Sequence, residues 1–303
     1  MAALTGASGF AQRARRRVLA HDAREFALMA RLLVLAMFLN IASGAFVRLT
    51  GSGLGCPDWP GCKGRPVPPL DYHPAIEFSN RMIALAGILA ALLTWLSARR
   101  IADRTARRLA GGIALLTFGQ IPLGAVTVLF DLHPLLVMSH FLVAVVATGL
   151  AAVLWARLAG GSSTPAPARL AWLARLSIAG AFALIVSGAF STAAGPHAGG
   201  QDIRRMGNLL DSTYVHVRVA TTYVVIATVL LLLLQFGPWR PDRWRGLALA
   251  LVVLLPVQAF IGEYQWHNQL PWGVVLAHVS VAAAVWIVCV ALATRVLARR
   301  PAT

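Results

Sequence analysis

The chain has 303 residues, 58% of them hydrophobic and only 13% charged, with a formal net charge of +16. A soluble chain of this length carries about twice that charged fraction, which excludes an ordinary water-soluble enzyme. The positive charge does not mark a nucleic-acid partner either, because most of its arginines cluster in alternate loops and at both ends, the positive-inside pattern of a polytopic membrane protein.

The first 27 residues are basic (Arg13, Arg15, Arg16, Arg17, Arg24) and run straight into a full-length apolar span. That order predicts a cytoplasmic signal anchor rather than a cleaved leader, which has a shorter apolar region and a small-residue cleavage site. Eight spans follow, at 28–48, 77–97, 109–130, 134–156, 170–192, 211–235, 246–265 and 271–294. Each is long enough to cross a hydrocarbon core of about 30 Å. Further arginines mark alternate loops: Arg99, Arg100, Arg104, Arg107 and Arg108, then Arg157 and Arg169, then Arg240, Arg243 and Arg245. The last cluster, Arg295, Arg299 and Arg300, closes the chain. An even number of spans with basic ends places both termini in the cytoplasm of a multi-pass plasma-membrane protein.

Between the first two spans lies a Gly- and Pro-rich outer loop, 49–76, too long and too particular in composition for a plain connector. It holds Cys56 and Cys62, which face an oxidising side and form a disulfide, two free thiols or a metal pair. No other Cys or suitably spaced His completes a zinc site, and Cys289 in the last span is a packing residue. The segment GGSSTPAPA, 160–168, is a flexible linker. It separates a four-helix half at 28–157 from a second at 170–297, with 158–169 as the connection and 298–303 as a cytoplasmic tail.

The halves repeat. Ser43-Gly44-Ala45-Phe46 returns as Ser187-Gly188-Ala189-Phe190, and Gln120 with Gly124 returns as Gln258 with Gly262. Val137-Met138-Ser139-His140 returns as Val275-Leu276-Ala277-His278, each after a proline, Pro134 or Pro271. Asn80 answers to His216 at an offset of 136, and His140 to His278 at 138. Four spans per half give both the same orientation, hence an all-α protein of two pseudo-symmetric four-helix bundles about an axis along the membrane normal.

Polar side chains at membrane depth are costly, about 2.5–3.5 kcal/mol for a central charge, and so point to function. Facing bundle helices can hold a macrocycle between imidazoles. A lone buried His more often hydrogen-bonds a neighbouring helix. The repeat-related frame favours iron ligation by His216, His278 and His140, while Asn80 is a poor iron ligand. Glu77, three residues before Asn80, is either interfacial and solvated or a proton donor or acceptor beside a substrate. Arg48 and Arg81 sit at the outer boundary, against the charge bias, and contact propionates or snorkel to headgroups. Gln120 and Gln258 default to helix packing. The remaining histidines, His21, His73, His133, His197 and His267, read as solvated polar residues.

Taken together, SGAFVRLTGSGLGCPDWPGCKGRPVPP, AIEFSNR, MSHF, VHVR and LAHV resemble the heme A synthase family, also written CtaA. The resemblance covers about 30–300, and the VRLTGSGLGCPDWP stretch is its most specific part. It implies oxidation of the C8 methyl of haem O to a formyl group through successive hydroxylations and loss of water. It implies a resident haem b on His216 and His278 in the second bundle, with the haem substrate on His140 in the first. Glu77 is then the catalytic carboxylate and Cys56–Cys62 the loop disulfide. Haem O is the substrate, a haem O synthase and an electron donor are the partners, and a homo-oligomer is compatible with it. The chain departs from the family at Asn80, where many members carry His. Rival expectations are a quinone-linked di-haem cytochrome, a non-catalytic oxidase assembly factor, and a parallel-repeat transporter. The transporter predicts helices broken near Pro122 and Pro256.

Overall fold

The computed structural model describes residues 2–101, 103–158, 164–200, 202–240 and 244–298, with side chains from residue 22 onward. Eight α-helices follow in chain order: α1 Ala2–Leu49, α2 Tyr72–Ala98, α3 Arg104–Leu129, α4 Pro134–Leu158, α5 Ala168–Ala194, α6 Leu209–Phe236, α7 Arg245–His267 and α8 Trp272–Leu297. All eight are long and apolar enough to cross a membrane, α1 through Asp22–Leu49. The chain is therefore an all-helical multi-pass membrane protein. Residues 159–163 of the expected linker, 299–303 of the expected tail, and with them Arg243, Arg299 and Arg300, lie outside the described residues.

Local chemistry explains the boundaries. Asp103 and Asn208 are N-caps, their side-chain oxygens accepting from Thr105 and Ala106 and from Leu210 and Asp211. Pro134 opens α4 and Pro271 caps α8, positions where the missing N–H costs nothing. Two boundaries differ from expectation. Helix α1 is continuous with the basic leader, and α2 begins at Tyr72 rather than 77, because Pro74 fits a first helical turn. Glu77 and Asn80 consequently stand inside α2, not at its mouth. Pro122 and Pro256 lie within α3 and α7, and both helices continue through them. The broken spans expected of a transporter are not seen in either helix.

In the first half, α1 packs on α2, α2 on α3, α3 on α4 and α4 on α1, a closed ring. In the second, α5 packs on α6 and α8, and α7 on α8, while α6 and α7 do not pack closely. Helices α1, α4 and α8 join the halves. At that junction the Trp286 indole donates to the Val145 carbonyl at 2.9 Å and lies against Gly149, where a methyl group would come within 2.7 Å of the ring.

Each bundle is tight at one end only. The first core draws on Phe26, Ala30 and Leu33 of α1, Ala91 and Ala98 of α2, Ala106 to Ala114 of α3, and Ala147 to Leu154 of α4. The second draws on Leu170 to Ala181, Tyr223 to Leu234, Trp244 to Leu251 and Ala283 to Val296. Alanine lets helix backbones approach closely where lipid gives no hydrophobic drive. The repeated polar residues all lie toward the opposite end of these helices, beneath the loops.

Candidate functional site

The repeat seen in sequence is a repeat of contacts. On α1, Ser43 Oγ donates to Asn80 Oδ1 of α2 at 2.7 Å. On α5, Ser187 Oγ lies 2.9 Å from His216 Nδ1 of α6. The two serines hold the two residues at matching places in the two bundles. On α7, the Gln258 side-chain amide lies 3.1 Å from His278 Nε2 of α8.

Glycines seat the rings. A methyl group at Gly188 would lie 3.0 Å from His216 Cε1, one at Gly262 would lie 3.1 Å from His278 Cε1, and one at Gly124 would lie 3.3 Å from His140 Cε1. At Gly44, facing the shorter Asn80 in the repeat, a methyl group would meet nothing within 4 Å. These serines and glycines were visible in sequence only as repeated letters. Gly124 and Gly262 each stand 16 residues before their histidine, a constant spacing that the sequence does show. Ser43 and Ser187 stand 37 and 29 residues before Asn80 and His216, so their pairing does not show in the spacing.

The His216 and His278 rings are 6.4 Å apart, centre to centre, with planes at 70°. Two metal–nitrogen bonds of about 2 Å, and about 1.1 Å from each nitrogen to its ring centre, span about 6.2 Å. The separation suits one iron between two imidazoles. Helices α6 and α7 stand apart beside this pair, so the second bundle has a slot where the first has a packed interface. His278 Nδ1, His140 Nδ1, Gln258 Oε1 and Gln120 Nε2 are buried with no hydrogen-bond partner. Such orphans cost about 1–3 kcal/mol each unless something meets them. Both repeat-related pairs, Gln120 with Gln258 and His140 with His278, are left with unmet polar atoms, which fits a site built for a haem.

A second assembly exists in the first half alone. Cys56 and Cys62 form a disulfide, closing a tight loop that contains a cis Trp59–Pro60 bond. Glu77 is 4% exposed, which overturns a solvated interfacial carboxylate. Its Oε2 accepts from the Cys56 backbone N–H at 2.7 Å and its Oε1 from the Arg81 guanidinium at 2.7 Å. Arg81 also donates to the Pro60, Gly61, Cys56 and Asp58 carbonyls at 2.7–3.3 Å. From sequence its partner is a propionate or a headgroup; in the fold it is the loop backbone. The loop sits close on α2 because Gly55 has no side chain: a methyl there would lie 2.5 Å from the His73 carbonyl.

The two assemblies meet across the halves. Arg48 at the end of α1 donates to the His197 carbonyl, Gly53 N–H donates to the Gly199 carbonyl at 2.8 Å, and His197 Nε2 lies 2.8 Å from the Leu270 carbonyl. His197 is thus a half-buried bridge between the loops after α5 and α7, not a solvated residue. Phe46 and Trp272 meet nearby, ring centres 6.1 Å apart.

The chain is similar along most of its length to proteins of one kind. A heme A synthase of Shewanella oneidensis is 27% identical over 84% of this chain and 91% of its own. One of Symbiobacterium thermophilum is 39% identical over 35% of each chain. One of Methylobacterium radiotolerans is 28% identical over 54% of this chain and 48% of its own. The family model of cytochrome oxidase assembly proteins, COX15-CtaA, matches residues 27–75 and 72–290, which take in the disulfide loop and all four repeated polar positions, and the chain belongs to that family.

Proposed function

We propose that this chain is a membrane oxidoreductase of the heme A synthase type, converting the C8 methyl of haem O to a formyl group for cytochrome oxidase. The observation that carries the reading is the pairing of a bis-imidazole seat in one bundle with a carboxylate-anchored loop in the other, within the family's framework. His216 and His278 would hold haem b in the bundle of 170–297. Held by these two histidines, haem b would supply one-electron transfer. Ser187 orients His216 through Nδ1, the kind of outer contact that fixes a ligand's ring and tautomer.

The bundle of 28–157 would take haem O, with His140 as the ligand from protein. Glu77 stands below the disulfide loop as a fixed negative charge, since both its oxygens are engaged. Taking up a proton requires loosening its bond to Arg81, so Glu77 and the loop act as one unit. Arg81 holds that loop down through four carbonyls, over the buried Glu77. Both termini would lie in the cytoplasm of a plasma membrane, a topology that the clustering of arginines in alternate loops supports. A haem O synthase would deliver the substrate, and a separate donor the electrons.

The test is pigment extraction from protein co-expressed with a haem O synthase. Haem A or its hydroxylated precursor beside haem b is the expected result. Haem b alone, with haem O present in the cells, would favour the electron-carrier alternative.

A further inference from the structure

We infer that the Asn80 side of the first bundle is a binding position for a small diatomic ligand on the iron of the substrate haem, with the Asn80 amide as its hydrogen-bond donor. The inference rests on haem O occupying that bundle, and it goes further by assigning the second axial side.

Four observations carry it. In the second bundle the equivalent place is filled: His216 reaches from α6, held by Ser187, and a methyl group at Gly188 would lie 3.0 Å from its ring. In the first bundle the seat is kept but the ring is not. Ser43 and Gly44 are the same two residues at the same offset, yet the space beside Gly44 is open to 4 Å. Asn80 cannot substitute as a ligand, because a neutral carboxamide is a weak donor to iron beside imidazole.

The carboxamide is nevertheless oriented. Ser43 Oγ lies 2.7 Å from Oδ1 and 3.2 Å from the Asn40 carbonyl, which fixes one end of the amide and leaves the NH₂ end directed away from the serine. Among the described residues that NH₂ makes no hydrogen bond, so two donors remain for a ligand. The position is also reachable. A groove of about 390 Å³ between α1 and α2 is lined by Ser43, Phe46, Ala75, Ile76, Ser79 and Asn80. A molecule of two atoms can pass along it to the Asn80 amide without parting the helices.

The ligand class follows from size and polarity. The space left by an absent imidazole suits two heavy atoms, and an amide donor favours a ligand whose outer atom carries partial negative charge. Dioxygen bound to ferrous iron meets both conditions, and carbon monoxide is the stable probe for the same place.

The experiment uses full-length protein purified with its haems, reduced with dithionite and exposed to carbon monoxide, with pigment extraction giving haems per chain. The expected result is two haems per chain and one bound carbon monoxide. Its infrared stretch should shift to higher frequency in Asn80→Leu, which removes the donor, and move partway in Ser43→Ala, which frees the amide to turn. Asn80→His should lose carbon monoxide binding while keeping both haems, because the imidazole takes the seat. Two haems with no carbon monoxide bound would overturn the inference, as would a stretch unmoved in both Asn80→Leu and Ser43→Ala. One haem per chain, retained in His140→Ala, would overturn the assignment of haem O to the first bundle, and this inference with it. Ser43→Ala removes a single hydroxyl and keeps the test available if Asn80→Leu does not fold.

Discussion

The two bundles share a plan and differ in what surrounds it. Offsets that superpose Asn80 on His216 bring Glu77 onto Thr213 and Arg81 onto Val217, and the offset joining Ser43 to Ser187 brings Arg48 onto Thr192. The second half therefore has the imidazole pair without the ionic clamp, and the first half has the clamp with one imidazole withdrawn. A pair of rings 6.4 Å apart with no adjacent carboxylate is suited to holding a metal and passing electrons. A single imidazole, a buried carboxylate and a disulfide loop leave coordination free on one side and put charge close by. The two halves share the frame, and a few polar side chains distinguish them.

The sharpest way to break this comparison is to remove the ligands one bundle at a time. His216→Ala or His278→Ala should abolish the bis-histidine haem spectrum, while His140→Ala should leave that spectrum and remove only the second pigment. Loss of both pigments in His140→Ala would mean that the bundles are not separate sites. Extraction and absorption spectra of the purified variants decide this.

Next in size is the clamp. Glu77→Ala leaves the Arg81 guanidinium, whose side chain is 17% exposed, beside no counter-charge. Stranding a largely buried partner in this way costs about 3 kcal/mol. Limited proteolysis of the 50–71 loop should accelerate and haem A formation should stop, with the haem on His216 and His278 unaffected. Glu77→Gln keeps the Cys56 contact and should give slower cleavage than Glu77→Ala; equal rates would show that the charge does not hold the loop.

A smaller effect is expected from the serine in the second half. Ser187→Ala removes the contact to His216 Nδ1 and should weaken haem retention about tenfold, the lower range for outer-sphere changes at metal sites. The measurement is haem transfer to apomyoglobin, and an unchanged rate would remove Ser187 from the site.

The smallest effect is one of pH and is confined to the first half. The Gly64 backbone N–H, aided by that of Lys63, holds the Asp58 carboxyl below the usual carboxylate range. A folded-state pKa below the unfolded value, about 3.9, adds loop stability above that pH, and the gain disappears as pH falls through the folded value. Exchange of the Lys63 and Gly64 amides should therefore show full protection at neutral pH and lose it only in strong acid. Loss of protection already at pH 6 would contradict the assignment.

Much of this was legible in the chain alone. Eight apolar stretches, basic clusters between them and the repeat follow from solvent physics: a helix of about 20 residues is the way a backbone satisfies itself in lipid. The three histidines and Asn80 stand out because polar groups at that depth are rare. The partners they take do not show in a one-dimensional pattern. Nothing in the order of residues says that Glu77 meets the Cys56 N–H, that Arg81 closes on four loop carbonyls, or that His197 meets Arg48, 149 residues before it, and Leu270, 73 residues after it. Nor does it say that α6 and α7 stand apart where α2 and α3 pack. Hydropathy and periodicity are local properties and determine the spans. Hydrogen bonds between loops, the seat beside Gly44 and the distance between two rings depend on which helix faces which, and only the tertiary packing decides that.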